Sequence, residues 1–192
     1  IVTESSITQG NWKFSIATKS GNNPSVSNQI RIILMSDSNT ITELENPDGG
    51  SWNGYYVEYG QNLSTDRLIL YEHTSGSGKT ERIDTSFPGA ADDDDGSTYI
   101  VTRNGSNTWS IKADDGFEGV TATTSRGSSV TDATHTSSSY FAISIEHTSS
   151  SSRIFYVDNV RVENTDSSLP VELSYFSAIP KNSNVLLNWA TE

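Results

Sequence analysis

Two groups of side chains in this sequence have the types and spacing to bind something. The first is a carboxylate set in an apolar row. Asp158 lies in RIFYVDNVRV, residues 153–162, where counting by twos puts it on one strand face with Ile154, Tyr156, Val160 and Val162. An ionised carboxylate on a buried face has to be paired, hydrogen-bonded or metal-bound, because an apolar environment penalises charge. A structural calcium ion, taking hard oxygen ligands from Asp158 and nearby carbonyls, meets that demand. A backbone or arginine partner meets it too, as does solvation at the end of the strand. The second group is Trp52 and Asn53, which follow Asp48-Gly49-Gly50-Ser51 in a polar loop, together with Tyr56 and Glu58 on the strand face opposite Tyr55, Val57 and Tyr59. Sugar rings stack on flat side chains and hydrogen-bond to adjacent amides and carboxylates. An exposed Trp52 therefore reads as a glycan contact, and an inward Trp52 as a plug at the edge of the core.

Other charged patterns carry less. Four aspartates at 92–95 precede Gly96, but aligning Asp95-Gly96 with the end of the DxDxDG pattern puts Ala91 at the first ligand position and Thr102 where the closing Glu belongs. That spacing does not make a helix–loop–helix calcium site, and the run reads as a solvated acidic turn, with Asp114-Asp115-Gly116 as a second acidic loop. Glycoside hydrolysis needs two carboxylates facing each other at about 5 to 9.5 Å, and no strand here carries Glu-x-Asp-x-Glu. His73, His135 and His147 fall at strand ends or in a Ser/Thr-rich loop, and no GxSxG elbow is present. The sequence therefore reads as a non-enzyme.

The elements that position these residues are strands. Hydrophobic residues make up only 33% of the 192, and turn formers recur every few positions, the texture of short strands joined by polar turns. Segments near 11–19, 28–36, 54–60, 67–73, 79–85, 97–103, 108–113, 117–123, 140–147 and 153–163 are strand-like, and in several, such as Trp12, Phe14 and Ile16, every second residue is apolar. Ten half-buried strands cannot share one flat sheet with one wet face, so the expectation is an all-β fold of two antiparallel sheets packed face to face. Asn104-Gly105 between apolar runs predicts a hairpin joining 97–103 to 108–113. Residues 124–139, mostly Ser, Thr and Gly, read as a long surface loop. No apolar run is long enough to span a membrane. The net charge of −12 would repel nucleic acid and suits solubility, divalent cations or neutral partners. Cysteine is absent, which removes disulfides and thiolate metal sites. Residues 169–192 read as the opening of a second domain, because two strands alone bury too little to be stable.

Five stretches, NQIRIILMSDS at 28–38, GYYVEYG at 54–60, RLILY at 67–71 and the strands over 140–149 and 154–162, resemble the concanavalin A-like (laminin G-like) jelly-roll modules of secreted Bacteroidetes proteins. LPVEL at 169–173 with NVLLNWAT at 184–191 is similar to the junction that opens a fibronectin-like domain ahead of a type IX secretion sorting domain. The resemblance implies a jelly-roll sandwich over 1–164, a linker over 165–170, and the incomplete first strands of an immunoglobulin-like, fibronectin-type domain over 171–192. It also implies a secreted or cell-surface protein that binds glycan or another surface polymer, or acts as an adhesive or spacer, and it brings no catalytic residues. Such modules usually begin with a further strand or two before the position of Thr3–Trp12. An incomplete sandwich edge suggests the alternative of a structural or filament subunit assembled with neighbouring copies by β-strand addition.

Overall fold

A computed structural model describes residues 1–18, 24–46, 49–60, 66–88, 96–117, 121–147 and 154–164 in full, and the backbone alone of 173–181 and 184–191. The first half of the chain forms β1 (Val2–Glu4), β2 (Gly10–Thr18), β3 (Gln29–Ser36), a helical turn α1 (Ile41–Leu44), β4 (Gly54–Tyr59), β5 (Leu68–Thr74) and β6 (Gly78–Asp84). The second half adds β7 (Ser97–Arg103), β8 (Thr108–Asp115), β9 (Ser125–Thr131), β10 (Tyr140–Glu146), β11 (Phe155–Glu163), β12 (Leu173–Lys181) and β13 (Asn184–Thr191). One sheet runs β1-β10-β3-β4-β5-β6 and a second runs β11-β2-β7-β8-β9, all neighbours antiparallel. The fold is an all-β sandwich. β12 and β13 pair with each other in a third sheet of two strands, and the linker expected at 165–170 lies outside the described residues.

Alternation builds the core as the sequence predicts. Trp12, Phe14, Ile16, Tyr99, Val101, Trp109 and Ile111 from the five-stranded sheet meet Ile30, Ile32, Leu34, Tyr55, Val57, Tyr59, Leu68 and Leu70 from the six-stranded one. Trp12 and Trp109 stack at 5.7 Å. The β7–β8 hairpin forms over the expected residues. Its turn differs from the two-residue kind that Asn-Gly favours, because the positive φ of 58° falls on Asn107, while the Asn104 side chain accepts from the amides of Ser106 and Thr108 at 2.9 Å each. Gly54 begins β4 beside a bulge in β3; a Cβ there would lie 1.9 Å from the Met35 carbonyl, so only glycine fits.

Three sequence readings change. Residues 125–131 form β9, an edge strand of the five-stranded sheet rather than loop. Its polar side chains are mostly exposed on both faces, so its strand character comes from backbone pairing and leaves no apolar period to detect. Segment 117–123 is not a strand at its described positions. The six-stranded sheet is also buried on both faces at its centre, since α1 and the segment leading to β4 cover its outer side and bury Ile33, Leu44, Trp52, Tyr56, Ile69 and Tyr71 in a second apolar cluster.

Candidate functional site

The aromatic group expected to meet glycan is structural. Trp52 is 1% exposed, stacks on His73 with ring centroids 4.2 Å apart, and tilts against Tyr56 at 5.7 Å. Its own carbonyl lies 2.8 Å from Nδ1 of His73. Tyr56 is fully buried in the same cluster. Glu58 is 3% exposed and receives Nε of Arg31 at 2.8 Å, with Nζ of Lys79 at 3.5 Å from its other oxygen. Arg31 also donates to the Glu45 carbonyl and to Glu146, at 3.2 and 3.0 Å, tying the end of α1 to the sheet. Asn53 is half-buried and clamped: its amide and side-chain NH2 donate to Asp37 at 2.8 Å each, and its Oδ1 accepts from the amide of Ser75 at 3.0 Å. Period-two counting goes wrong here because it assumes one wet face, whereas runs such as RIILM and LILY belong to strands covered on both sides.

Asp158 does not sit in a buried row. It is exposed, and so are Ile154, Tyr156 and Val160. The cause is a bulge: Asp158 pairs with Ser15 but Arg161 with Lys13, so β11 carries one extra residue, and Asn159 takes the left-handed conformation at φ 54°. Phe155 and Val157 face the core before the bulge, and Val162 faces it after. The Asp158 carboxylate accepts the Asn159 amide at 2.7 Å and meets water directly, so burial places no demand on it for a cation. Among the described residues no three His, Asp or Glu side chains are grouped to hold a metal. The aspartates at 92–95 lie outside the described residues. Asp114 accepts from the amides of Thr123 and Thr124 and from the Thr123 hydroxyl, at 2.6, 3.3 and 2.8 Å. Hydrogen bonds from Thr124 and Thr123 hold its pKa well below the usual carboxylate range.

The densest polar cluster is buried. Nε2 of His135 lies 2.9 Å from Oε1 of Glu72 and 3.2 Å from the Thr74 hydroxyl, which also donates to Glu72. Arg82 bridges Glu72 at 3.3 Å to Asp132 at 2.6 Å. The Tyr55 hydroxyl donates to Asp132 at 2.8 Å. Arg103, fully buried, donates to the carbonyls of Thr8 and Asp132 at 3.1 Å each and lies over the rings of Tyr55 and Trp109. Burial works against an ionised Asp132, yet the bonds from Thr134 and Tyr55 and the Arg82 cation outweigh it and lower its pKa. Burial raises Tyr55 to about 12. The side chains of His135 and Glu72 are 13% and 5% exposed. These residues hold the segment after β9 against the end of the sandwich.

The outer face of the five-stranded sheet is partly exposed: Ile100 and Lys112 reach solvent, whereas Ser15 and Thr98 are buried. A cleft of about 390 Å³ lies there, lined by Lys13, Thr98, Ile100, Thr121, Asn159, Val160 and Arg161 together with Phe14. Strand alternation that sends Trp12, Phe14, Tyr99 and Val101 inward sends Lys13, Ser15, Thr98 and Ile100 outward. At one end of the floor the Ser15 and Thr98 hydroxyls bond at 2.9 Å, and Thr98 donates to the Gly116 carbonyl at 2.8 Å. The bulge forms one wall. Nδ2 of Asn159 donates to the Ser15 hydroxyl and the Phe117 carbonyl at 3.4 and 3.3 Å. Tyr156, 48% exposed, stands on the outer side of the same strand. No signal in sequence spacing marks this site, because it draws on four separate segments and on a bulge that breaks the period. No helix among the described residues is long and apolar enough to cross a membrane. No family model, curated protein or solved structure matches the chain.

Proposed function

We propose that the chain is a non-enzymatic extracellular recognition module that binds a glycan in the cleft on the outer face of the five-stranded sheet. The observation that carries this reading is the cleft itself, whose volume of about 390 Å³ is in the range of small-ligand sites. Its apolar floor at Ile100 and Val160 suits the C–H faces of a sugar ring. The side-chain carbonyl of Asn159 and the hydroxyl of Thr121 suit its hydroxyl groups. The sandwich is proposed to be of jelly-roll type, with β12 and β13 opening an immunoglobulin-like domain; among the described residues these two strands pair only with each other, which supports the second point. A glycan array run on the protein with calcium and with chelator tests the function. The expected result is binding that Thr121→Ala weakens without moving the unfolding midpoint. Binding to no glycan in either condition removes the reading.

A further inference from the structure

We infer that the glycan taken by this cleft is acidic, a uronic-acid oligosaccharide whose carboxylates are read by a row of cations crossing the sheet. This rests on the glycan reading above and specifies its ligand. In one cross-strand row Arg161 pairs with Lys13, Lys13 with Ile100, and Ile100 with Lys112. Three of the chain's 12 Lys and Arg thus stand in one line on the outer face, on a protein of net charge −12. Like charges directly opposite on a sheet destabilise it, so the Arg161–Lys13 pair costs the fold something unless an anion lies between them.

Glu163 supplies part of that anion, with Oε1 2.7 Å from Nε of Arg161 and Oε2 3.3 Å from Nζ of Lys13. It engages one nitrogen of each cation. The Arg161 side chain is 71% exposed and keeps its two terminal NH2 groups for a ligand, and a planar guanidinium matches a carboxylate with two parallel bonds. Lys112 forms no ion pair among the described residues and stands about 10 Å from Lys13, two strand spacings away. That gives an oligomer a second carboxylate contact along the row. Ile100 lies between the cations and Val160 beside them, so an apolar ring face and an acidic edge are met by one short stretch of surface. The acids nearby are Glu163, Asp158 paired with Ser15, and Asp114 paired with Thr98; Asp114 is already held by Thr123 and Thr124.

The test compares oligogalacturonate with its methyl ester, the same rings without the charges, by calorimetry in the presence of chelator so that calcium bridges no carboxylates. The acid is expected to bind more tightly than the ester by about tenfold or more, and less tightly as salt rises. Lys13→Gln and Arg161→Gln are each expected to cost about tenfold for the acid and little for the ester. Their unfolding midpoints should stay level or rise, since repulsion is relieved. Glu163→Gln is expected to tighten acid binding by releasing both cations. Equal binding of acid and ester, or binding of other, neutral glycans alone, overturns the acidic ligand while leaving the glycan reading in place. Failure of the acid, the ester and every glycan on the array overturns both.

Discussion

Replacing Trp52 by alanine separates the two roles that its position in a polar loop allows. In the structure the indole is 1% exposed, packed on His73 and Tyr56 and sharing a cluster with Leu44 and Ile69. A buried Trp removes about 150–250 Å² from water, worth about 4–6 kcal/mol at 25 cal/mol per Å². Measured Trp-to-Ala costs in cores run to about 3–5 kcal/mol. Against a typical total of about 5–15 kcal/mol, a loss of about 3–5 kcal/mol means that Trp52→Ala should remove roughly a fifth or more of the stability. It should lower the melting temperature by roughly 6–20 °C for a domain of this size. Urea unfolding followed by far-ultraviolet circular dichroism measures the loss. Trp52→Phe, which keeps a ring against His73, should lose less and leave glycan binding untouched. A change within about 0.5 kcal/mol for the alanine variant, the usual range for surface positions, would place Trp52 outside the core and refute the packing argument.

Two further outcomes follow from the buried polar cluster. Tyr55 has its pKa raised to about 12 by burial, so its neutral form is favoured in the folded state. Its contribution is fully present below the unfolded value near 10 and is lost as pH rises towards 12, at about 1.4 kcal/mol per pH unit. The difference between wild type and Tyr55→Phe across that window, by urea unfolding, isolates it from other tyrosines, and a flat difference would contradict the assignment. Arg103→Met removes a costly buried cation but leaves the Thr8 and Asp132 carbonyls without their donor; the net loss should be about 1–3 kcal/mol, and no loss in chemical denaturation would show that those carbonyls find other partners.

The sandwich could be read from the sequence wherever alternation has one wet face and one dry one. Trp12, Phe14 and Ile16 announce β2, and Tyr55, Val57 and Tyr59 announce the inner face of β4. The method failed where its assumption did. Tyr56 and Glu58 look like an outward platform because the residues that bury them, Leu44 and Trp52 on one hand and Arg31 and Lys79 on the other, come from elsewhere in the chain. The Ser-rich stretch of β9 carries no period at all, yet it pairs with β8 through its backbone. The cleft was hidden for a related reason. Lys13, Ile100, Thr121 and Arg161 are ordinary residues in their local contexts, and only the order of strands in the sheet brings them together.

The bulge in β11 supplies a sharper experiment on that cleft. Around it, Phe155 and Val157 point inward and Val162 also points inward, although their numbers differ in parity. One extra residue accounts for this, since three steps from Asp158 to Arg161 span two steps from Ser15 to Lys13. Removing Asn159 restores unbroken alternation: Phe155, Val157, Val160 and Val162 would face the core, and Tyr156, Asp158, Arg161 and Glu163 would face out. The deletion also takes away the one residue of β11 held at positive φ, a conformation that costs a non-glycine residue about 1 kcal/mol. A shortened β11 should therefore fold with stability within about 1–2 kcal/mol of the original, the inward turn of Val160 offsetting the lost Asn159 hydrogen bonds. What it cannot keep is the cleft wall, because Asn159 and Val160 both leave the outer face while Arg161 stays beside Lys13. Native-like unfolding with glycan binding lost is the expected pair of results. Retained binding would move the site away from the bulge, and collapse of the fold would show that the extra residue serves the sandwich itself.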